Sequence, residues 1–183
     1  AEGIVTRDTA ISPTALIVTE GARKVARSAA FTEGLVELQD ASSQAVVDAL
    51  PLVPGQRVLD YCAGGGGKTL AMGARLPGGE IAVHDADPRR MADIAPRAAR
   101  AGVPVRQLAH PGGAFDLVLA DSPCSGSGAW RRAPEGKWRL SEARLDALCR
   151  TQAQIMQDCA ALVVPGGVLA YATCSVLTEE NGA

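Results

Sequence analysis

Two cysteines lie where apolar runs of the chain end, and their type and position favour covalent catalysis. Cys124 follows the run Leu117–Ala120 through an Asp-Ser-Pro turn. Cys174 follows a second apolar run at 168–173. Because the carboxyl ends of parallel strands meet at one edge of a sheet, we expect both thiols there, together with the carboxylate of Asp121. A thiolate can add to an electrophilic ring carbon while a second thiol serves as acid or base.

A glycine-rich turn upstream suits the binding of a cofactor. The segment 63–69, here called the glycine turn, reads Ala-Gly-Gly-Gly-Gly-Lys-Thr between a predicted strand and a helix. Backbone N–H groups at such a helix N-terminus can approach a ligand closely. The P-loop pattern fails because it requires a glycine at Cys62. The dinucleotide pattern fails because it requires one at Thr69 or Leu70.

An acidic residue after the next strand extends this cofactor pattern. Asp85 comes about 20 residues after the turn, where a carboxylate can accept hydrogen bonds from a ribose. Asp87 is the competing candidate, although N-capping beside Pro88 is its simpler role. Turn and acid together favour an adenosine-containing cofactor and leave NAD and S-adenosylmethionine open. The two strand-end cysteines favour S-adenosylmethionine.

These residues have to be positioned by a regular alternation of strands and helices. Apolar runs and turn signals predict five strands, at 57–61, 80–84, 103–108, 115–120 and 168–173. Helices are predicted from the glycine turn to Leu76, from Pro88 to Ala101, and from Ser141 through Leu162. This alternation predicts an α/β protein with a parallel, doubly wound sheet.

The first fifty residues are less regular. A short strand at 14–19 and a short helix at 21–30 are the elements we predict there. Asp40 is a plausible N-cap for a helix to about Leu50, for which four residues are predicted to face inward: Ala45, Val46, Ala49 and Leu50.

Composition indicates a single soluble domain. The 183 residues are 47% hydrophobic and 21% charged, which is ordinary for a globular protein. Five cysteines without a CxxC pair argue against a disulfide framework and a zinc site, so we expect no metal and a cytoplasmic protein. No apolar stretch approaches the roughly 18 residues of a membrane helix. We therefore expect no membrane partner. We also expect a monomer.

The remaining cysteines need no chemical role. Cys149 and Cys159 lie on the apolar side of the last predicted helix, and we interpret them as small buried hydrophobes. From the residue pattern alone, Cys62 receives the same interpretation provisionally.

The segment 130–139 is a candidate nucleic-acid surface. The net charge of −2 means that such binding must come from a local basic patch. This segment interleaves four cationic side chains with two tryptophans, which suits a phosphate backbone and unstacked bases. The alternative is a solvated basic loop with its tryptophans turned inward. The candidate RNA contacts are Arg131, Arg132, Lys137 and Trp138.

Three motifs together resemble the RNA 5-methylcytosine methyltransferases. They read Asp-x-Cys-Ala-x-x-Gly-Gly-Lys-Thr at 60–69, Asp-Ser-Pro-Cys-Ser-Gly-Ser-Gly at 121–128 and Ala-Thr-Cys-Ser-Val-Leu-Thr-Glu-Glu-Asn at 172–181. The segment 130–138 is most similar to the bacterial branch that acts on small-subunit ribosomal RNA. Altogether the resemblance covers residues 31–181.

The resemblance implies a Rossmann-like fold, S-adenosylmethionine as cofactor and RNA as substrate. Among RNAs, it favours ribosomal RNA. By that resemblance Cys174 attacks C6 of a flipped cytosine, Cys124 assists removal of the C5 proton, and Asp121 hydrogen-bonds the ring edge. Lys68 would hold the methionine end of the cofactor and Asp85 its ribose. The cofactor-binding residues implied are Asp60, Cys62, Ala63, Gly64, Gly65, Gly66, Gly67, Lys68, Asp85 and Arg90.

The same resemblance divides the chain and leaves alternatives. Residues 31–183 would be the catalytic domain, truncated at its C-terminus, and residues 1–30 a remnant of an RNA-binding or lead-in region. The family's acidic adenine contact has no clear counterpart before Asp116.

One alternative function is that of a catalytically impaired RNA-binding or assembly module of this fold. Another is a DNA cytosine-C5 methyltransferase, which uses the Pro-Cys thiol as nucleophile, and the Thr-Cys-Ser motif at 173–175 argues against it.

Overall fold

A five-stranded parallel sheet forms the centre of the computed structural model, which describes residues 2–182. The strands are β1 (Val5–Asp8), β2 (Leu16–Glu20), β3 (Arg57–Asp60), β4 (Glu80–Val83), β5 (Val105–Gln107), β6 (Phe115–Asp121) and β7 (Val163–Ala172). The helices are α1 (Ala29–Thr32), α2 (Ala41–Asp48), α3 (Gly67–Arg75), α4 (Ile94–Ala101), α5 (Glu135–Arg139), α6 (Glu142–Ala160) and α7 (Thr178–Asn181). Short 3₁₀ turns lie at Ala22–Arg27, Pro88–Met91 and Ser127–Ala129.

The strand order creates a crevice between β3 and β6. The sheet runs β5-β4-β3-β6-β7, all parallel, so the chain proceeds outward from β3 and then returns to start again at β6. Ligands of open α/β sheets bind outside the carboxyl ends of the strands at such a reversal. The sheet confirms the predicted α/β class.

Apolar side chains cover both faces of the sheet. The apolar residues of β6, including Phe115 and Leu119, are completely buried, which explains why this strand reads as a continuous apolar run. On one face lie residues of α2, α3 and α4, among them Met72 and Ile94. On the other face α6 packs through Cys159, which is fully buried as predicted. The same prediction is wrong for Cys149, which is only partly buried and whose thiol donates to the carbonyl of Glu179 at 3.3 Å.

The inward face of α2 differs from the prediction. Val47 and Leu50 are buried, whereas Ala49 is exposed. Leu50 lies just beyond α2, and its backbone N–H donates to the carbonyl of Val47 at 3.1 Å, so both side chains reach the same apolar cluster. Because α2 ends at Asp48, Ala49 is its C-cap residue and lies on the solvent side.

Two predicted boundaries are also wrong. Pro88 begins a 3₁₀ turn rather than a helix, and α4 starts only at Ile94. Strand β7 begins at Val163 instead of residue 168. The pairing with β6 shifts register between Phe115–Val163 and Leu117–Val168, and the extra residues Pro165–Gly167 lie within this shift. A bulge accommodates extra residues in one strand while pairing resumes on both sides.

The N-terminal segment forms a hairpin that the sequence analysis predicted only in part. Strands β1 and β2 pair antiparallel, and β1 was not anticipated because its residues are all exposed and show no apolar alternation. Within residues 2–182, no helix combines the length and the apolarity needed to cross a membrane.

Candidate active site

The two loops that follow β6 and β7, here called the thiol loops (122–128 and 173–177), bring two cysteines into contact. The Sγ atoms of Cys124 and Cys174 are 3.3 Å apart. Strand β6 pairs with β7 as far as Asp121 opposite Ala172, so both loops leave the sheet at the same level. The backbone N–H of Gly128 donates to the carbonyl of Cys174 at 3.0 Å and joins the loops directly.

The two thiols lie in different environments. Cys174 is exposed, whereas Cys124 is half-buried. Burial, followed by the hydrogen bond with Cys174, raises the pKa of the Cys124 thiol to about 11. Cys124 therefore keeps its proton at neutral pH, and Cys174 is the more accessible of the two thiols.

An ion pair connects the glycine turn to the first thiol loop. Lys68, in the first turn of α3, places its Nζ 2.7 Å from Oδ2 of Asp121 at the end of β6. The same Nζ lies 3.5 Å from the Ser43 hydroxyl on α2. The family resemblance implies a cofactor contact for Lys68, whereas in the structure the partner of its ammonium group is the carboxylate of Asp121.

Backbone conformation shapes the glycine turn. Gly66 is the N-cap of α3 with φ +80°, in the left-handed region where side chains are strained. A Cβ on Gly66 would also lie 2.9 Å from Cγ1 of Ile94. The N–H of Gly64 donates to Oδ2 of Asp85 at 3.0 Å, and Arg97 donates to the carbonyl of Gly65.

The buried carboxylate of Asp85 organises this side of the crevice. Besides Gly64, it accepts from the N–H of Asp87 at 3.0 Å and pairs with Arg90 at 3.0 Å. Asp87 itself accepts from the N–H of Arg89 and caps the following 3₁₀ turn, the simpler of the two roles considered for it. Asp85 and Arg90 thus lie together beside the glycine turn.

Asp60 is the last residue of β3, and among residues 2–182 only one of its two carboxyl oxygens has a hydrogen-bond partner. Its Oδ2 accepts from the Thr69 hydroxyl at 2.7 Å, while Oδ1 is buried without a partner among residues 2–182. Burial raises the Asp60 pKa to about 7, against the lowering effect of the Thr69 hydrogen bond. Cys62 follows directly, and burial with the nearby Asp60 charge raises the pKa of its thiol to about 12. A buried acceptor without a partner at the crevice suits a donor from a ligand.

The segment 130–139 exposes one of its two tryptophans to solvent. Trp138 is 82% exposed, with Nζ of Lys137 5.7 Å from its ring centroid, so the alternative of inward tryptophans does not hold for it. Trp130 is half-buried. Arg131 is exposed, and Arg132 pairs with Asp40, the N-cap of α2.

Comparison with known proteins identifies the family. A family model described as 16S rRNA methyltransferase RsmB/F matches residues 47–183, which include the glycine turn and both thiol loops. The chain belongs to the RsmB/F family. Ribosomal RNA small subunit methyltransferase B from Xanthomonas campestris pv. campestris is 38% identical over 162 residues, which cover 82% of this chain. The chain spans about 37% of the length of that relative.

Solved structures show the same fold. A methyltransferase homolog protein from Pyrococcus horikoshii is 26% identical with a TM-score of 0.82, covering 97% of this chain and 59% of its own. NSun6 from Pyrococcus horikoshii is 25% identical with a TM-score of 0.76, covering 91% of this chain and 46% of its own. The resemblance drawn from the three motifs is confirmed.

The structure of this RsmB/F family member also shows site residues that the sequence analysis missed. Glu180 and Gln152 hydrogen-bond to the first thiol loop, although neither was given a role. The available signal was the position of Glu180 in the motif at 172–181. Gln152 gave no signal because it is one polar residue on a long amphipathic helix.

Proposed function

We propose that the protein methylates C5 of a cytosine in RNA, with S-adenosylmethionine as methyl donor and a covalent bond between Cys174 and C6 of the ring. The observation that carries this proposal is the pair of thiols 3.3 Å apart on the loops that follow β6 and β7, with the Lys68–Asp121 ion pair at the end of β6. C5 of cytosine is a poor nucleophile until a thiolate has added to C6, so a reactive thiol is what this chemistry needs.

Each side chain at the thiol loops has a distinct part in the proposal. Cys174, the exposed thiol, releases its proton to solvent, and its thiolate forms the bond to C6, which makes C5 nucleophilic. Asp121, held by Lys68, hydrogen-bonds the ring edge while negative charge accumulates on the ring. After C5 is methylated, Cys124 gives up its own proton to solvent and its thiolate takes the C5 proton. The electron pair of the broken C5–H bond re-forms the C5–C6 double bond, and the Cys174–C6 bond breaks with its electron pair on the Cys174 sulfur. A thiol with a raised pKa holds a proton tightly once its thiolate has accepted it, which suits this role.

The residues around the glycine turn fit the proposed cofactor. S-adenosylmethionine supplies an electrophilic methyl group when bound. The unpartnered Oδ1 of Asp60, the turn from Ala63 to Gly67 without bulky side chains, and the Asp85–Arg90 pair are the groups that would hold it. Cys62, half-buried at the start of the turn, would contribute packing.

The substrate we propose is small-subunit ribosomal RNA. The support is the name of the relatives, which are ribosomal RNA small subunit methyltransferases B. Trp138 would stack on an unpaired base, and Arg131, Arg132 and Lys137 would contact phosphates. In this proposal residues 31–183 are the catalytic domain of a monomer, and residues 1–30 are a remnant of an RNA-binding or lead-in region.

A trapped adduct tests the proposal. Cys124→Ala protein incubated with small-subunit rRNA and S-adenosylmethionine should accumulate a protein–RNA adduct on a denaturing gel, because the release step is lost. The adduct should vanish in the Cys124→Ala, Cys174→Ala double variant. Cys149→Ala, which removes a thiol on α6, is the matched control and should release RNA like the wild type.

The other possible results of this experiment decide which cysteine is the nucleophile and whether the protein is an enzyme. An adduct that survives without Cys174 would reverse the thiol roles. Absence of both adduct and methyl transfer in every variant, wild type included, would overturn the proposal and favour a binding module of the same fold.

A further inference from the structure

Glu180 is a buried carboxylate for which the proposed chemistry has no use. It is 4% exposed and forms no ion pair among the described residues. Its Oε1 accepts from the backbone N–H of Ser125 at 2.8 Å and from Nε2 of Gln152 at 2.9 Å. Its Oε2 accepts from the Ser125 hydroxyl. Burial raises the pKa of Glu180, but the hydrogen bonds from Ser125, Ser175 and Gln152 outweigh burial and hold that pKa below its usual range.

Glu180 and Gln152 bracket the first catalytic thiol. The amide of Gln152 donates both to Glu180 and to the carbonyl of Pro123, at 2.9 Å each. Ser125, which Glu180 holds, follows Cys124 directly, and Pro123 precedes it. The backbone on both sides of Cys124 is therefore fastened to one buried pair of side chains.

A set of serines extends this attachment to the second thiol. The hydroxyl of Ser175, directly after Cys174, lies 3.2 Å from that of Ser125 and 2.9 Å from that of Ser127. The phenol of Tyr171 donates to the carbonyl of Glu180 at 2.9 Å and fastens α7 to β7. Glu180 thus lies at the junction of both thiol loops.

Stability alone does not account for such a group. Burying a carboxylate with neutral donors costs free energy that an apolar side chain of similar volume would not cost. A carboxylate has four acceptor sites in fixed directions, and here they fix the backbone of a loop that lacks regular secondary structure.

We infer that Glu180, together with Gln152, is a positioning residue that holds Cys124 against Cys174 and thereby governs the release step. The inference rests on the proposed function for the identity of that step. Displacing Cys124 by about 1 Å should slow proton removal by about 10²-fold, because general acid–base catalysis requires hydrogen-bond reach. The first attack by Cys174 should persist.

The distance between the thiols can be measured without RNA. Dibromobimane fluoresces once it has bonded to two thiols and therefore reports how closely Cys124 and Cys174 approach. Glu180→Gln replaces one of the two accepting oxygens with an N–H₂ group and removes the negative charge that strengthens the remaining hydrogen bonds from Ser125 and Gln152. Dibromobimane should therefore bridge the two thiols about tenfold more slowly in this variant than in the wild type. Glu179→Gln, the exposed neighbour with the same loss of charge, is the matched control and should bridge at the wild-type rate.

The adduct assay gives a readout that simple unfolding would not produce. Glu180→Gln should accumulate the RNA adduct as Cys124→Ala does, whereas a merely destabilised protein would lose the adduct. Glu180→Asp keeps the charge but shortens the reach to Ser125, and it should accumulate less adduct than Glu180→Gln. The Asp variant decides the question if the Gln variant does not fold.

Each result bears on the inference. Wild-type bridging together with wild-type release in both Glu180 variants would overturn it. If the wild type itself forms no adduct and transfers no methyl group, the proposed function fails, and the bridging rates still decide whether Glu180 sets the distance between the thiols.

Discussion

The thiol loops and the glycine turn lie at the same edge of one sheet, yet they are held in different ways. Side chains hold the thiol loops: Glu180 and Gln152 bind the backbone around Cys124, and the serines join that loop to the one after β7. Backbone conformation holds the glycine turn, which needs the left-handed φ of Gly66 at the start of α3.

This difference agrees with the part proposed for each loop. A reactive thiol must stay in a fixed place relative to its partner, and directed hydrogen bonds provide that precision. A turn that receives a cofactor must leave room for close approach, and glycine leaves that room. Side-chain substitutions should therefore damage the thiol loops most, whereas added Cβ atoms should damage the glycine turn most.

The largest expected effect concerns Asp60 at the base of the glycine turn. Its pKa of about 7 lies above the unfolded value of 3.8, so the folded protein binds more protons than the unfolded chain. The resulting stabilisation is complete below pH 4 and is lost as pH rises through about 7. The free energy of unfolding of Asp60→Asn relative to wild type should therefore rise with pH across this window by up to about 4 kcal/mol.

Urea unfolding at several pH values measures this difference. The exposed Asp146→Asn variant serves as control and should run parallel to the wild type. A curve for Asp60→Asn that also stays parallel to the wild type between pH 4 and pH 8 would contradict the buried state of this carboxyl.

The second prediction concerns the burial of Cys124 in the thiol loops. With a pKa of about 11, its initial alkylation rate should rise about tenfold per pH unit, or about hundredfold from pH 8 to pH 10, with the thiolate fraction. The rate for an ordinary thiol with a pKa near 8.5 levels off in this range. Iodoacetamide labelling followed by mass spectrometry of the Cys124 peptide gives the rate, with free N-acetylcysteine as control. A plateau near pH 9 would be inconsistent with the raised pKa.

The third prediction compares two adjacent glycines of the turn. Gly66→Ala puts a Cβ at φ +80° and 2.9 Å from Ile94, which should lower the free energy of unfolding by about 2–3 kcal/mol. Gly67→Ala adds its Cβ inside α3, where the nearest atom is 3.4 Å away on Gln39. This control should change stability by no more than about 0.5 kcal/mol, since alanine favours the helix. Equal losses in urea unfolding would show that the left-handed conformation of Gly66 is not required.

The smallest expected effect concerns the surface that follows the first thiol loop. Trp138→Ala should weaken the binding of single-stranded RNA about tenfold through lost stacking, without changing the melting temperature, because Trp138 is 82% exposed. Leu35→Ala, also at an exposed apolar residue, is the control and should leave the Kd unchanged. Fluorescence anisotropy with a labelled RNA gives both Kd values, and identical values for Trp138→Ala and wild type would remove this surface from the RNA interface.

The sequence by itself was enough for the α/β class, the order of the five central strands along the chain, and the family. These features depend on local patterns: apolar runs such as 117–120, glycine and proline at the turns, and motifs in which cysteine follows a strand. The sequence failed where the pattern was weak, as at β1, or where a helix ended earlier than predicted, as at Ala49 just after α2.

Only the tertiary structure decided how the site is assembled. The partner of Lys68 is Asp121, 53 positions away, and the group that holds the Cys124 loop is Glu180, 55 positions from Ser125. No local pattern encodes such pairs, because the first exists only after β3 and β6 lie side by side and the second only after β7 lies beside β6. Residue types and spacing indicate the available chemistry, and the packing of distant segments determines which groups meet.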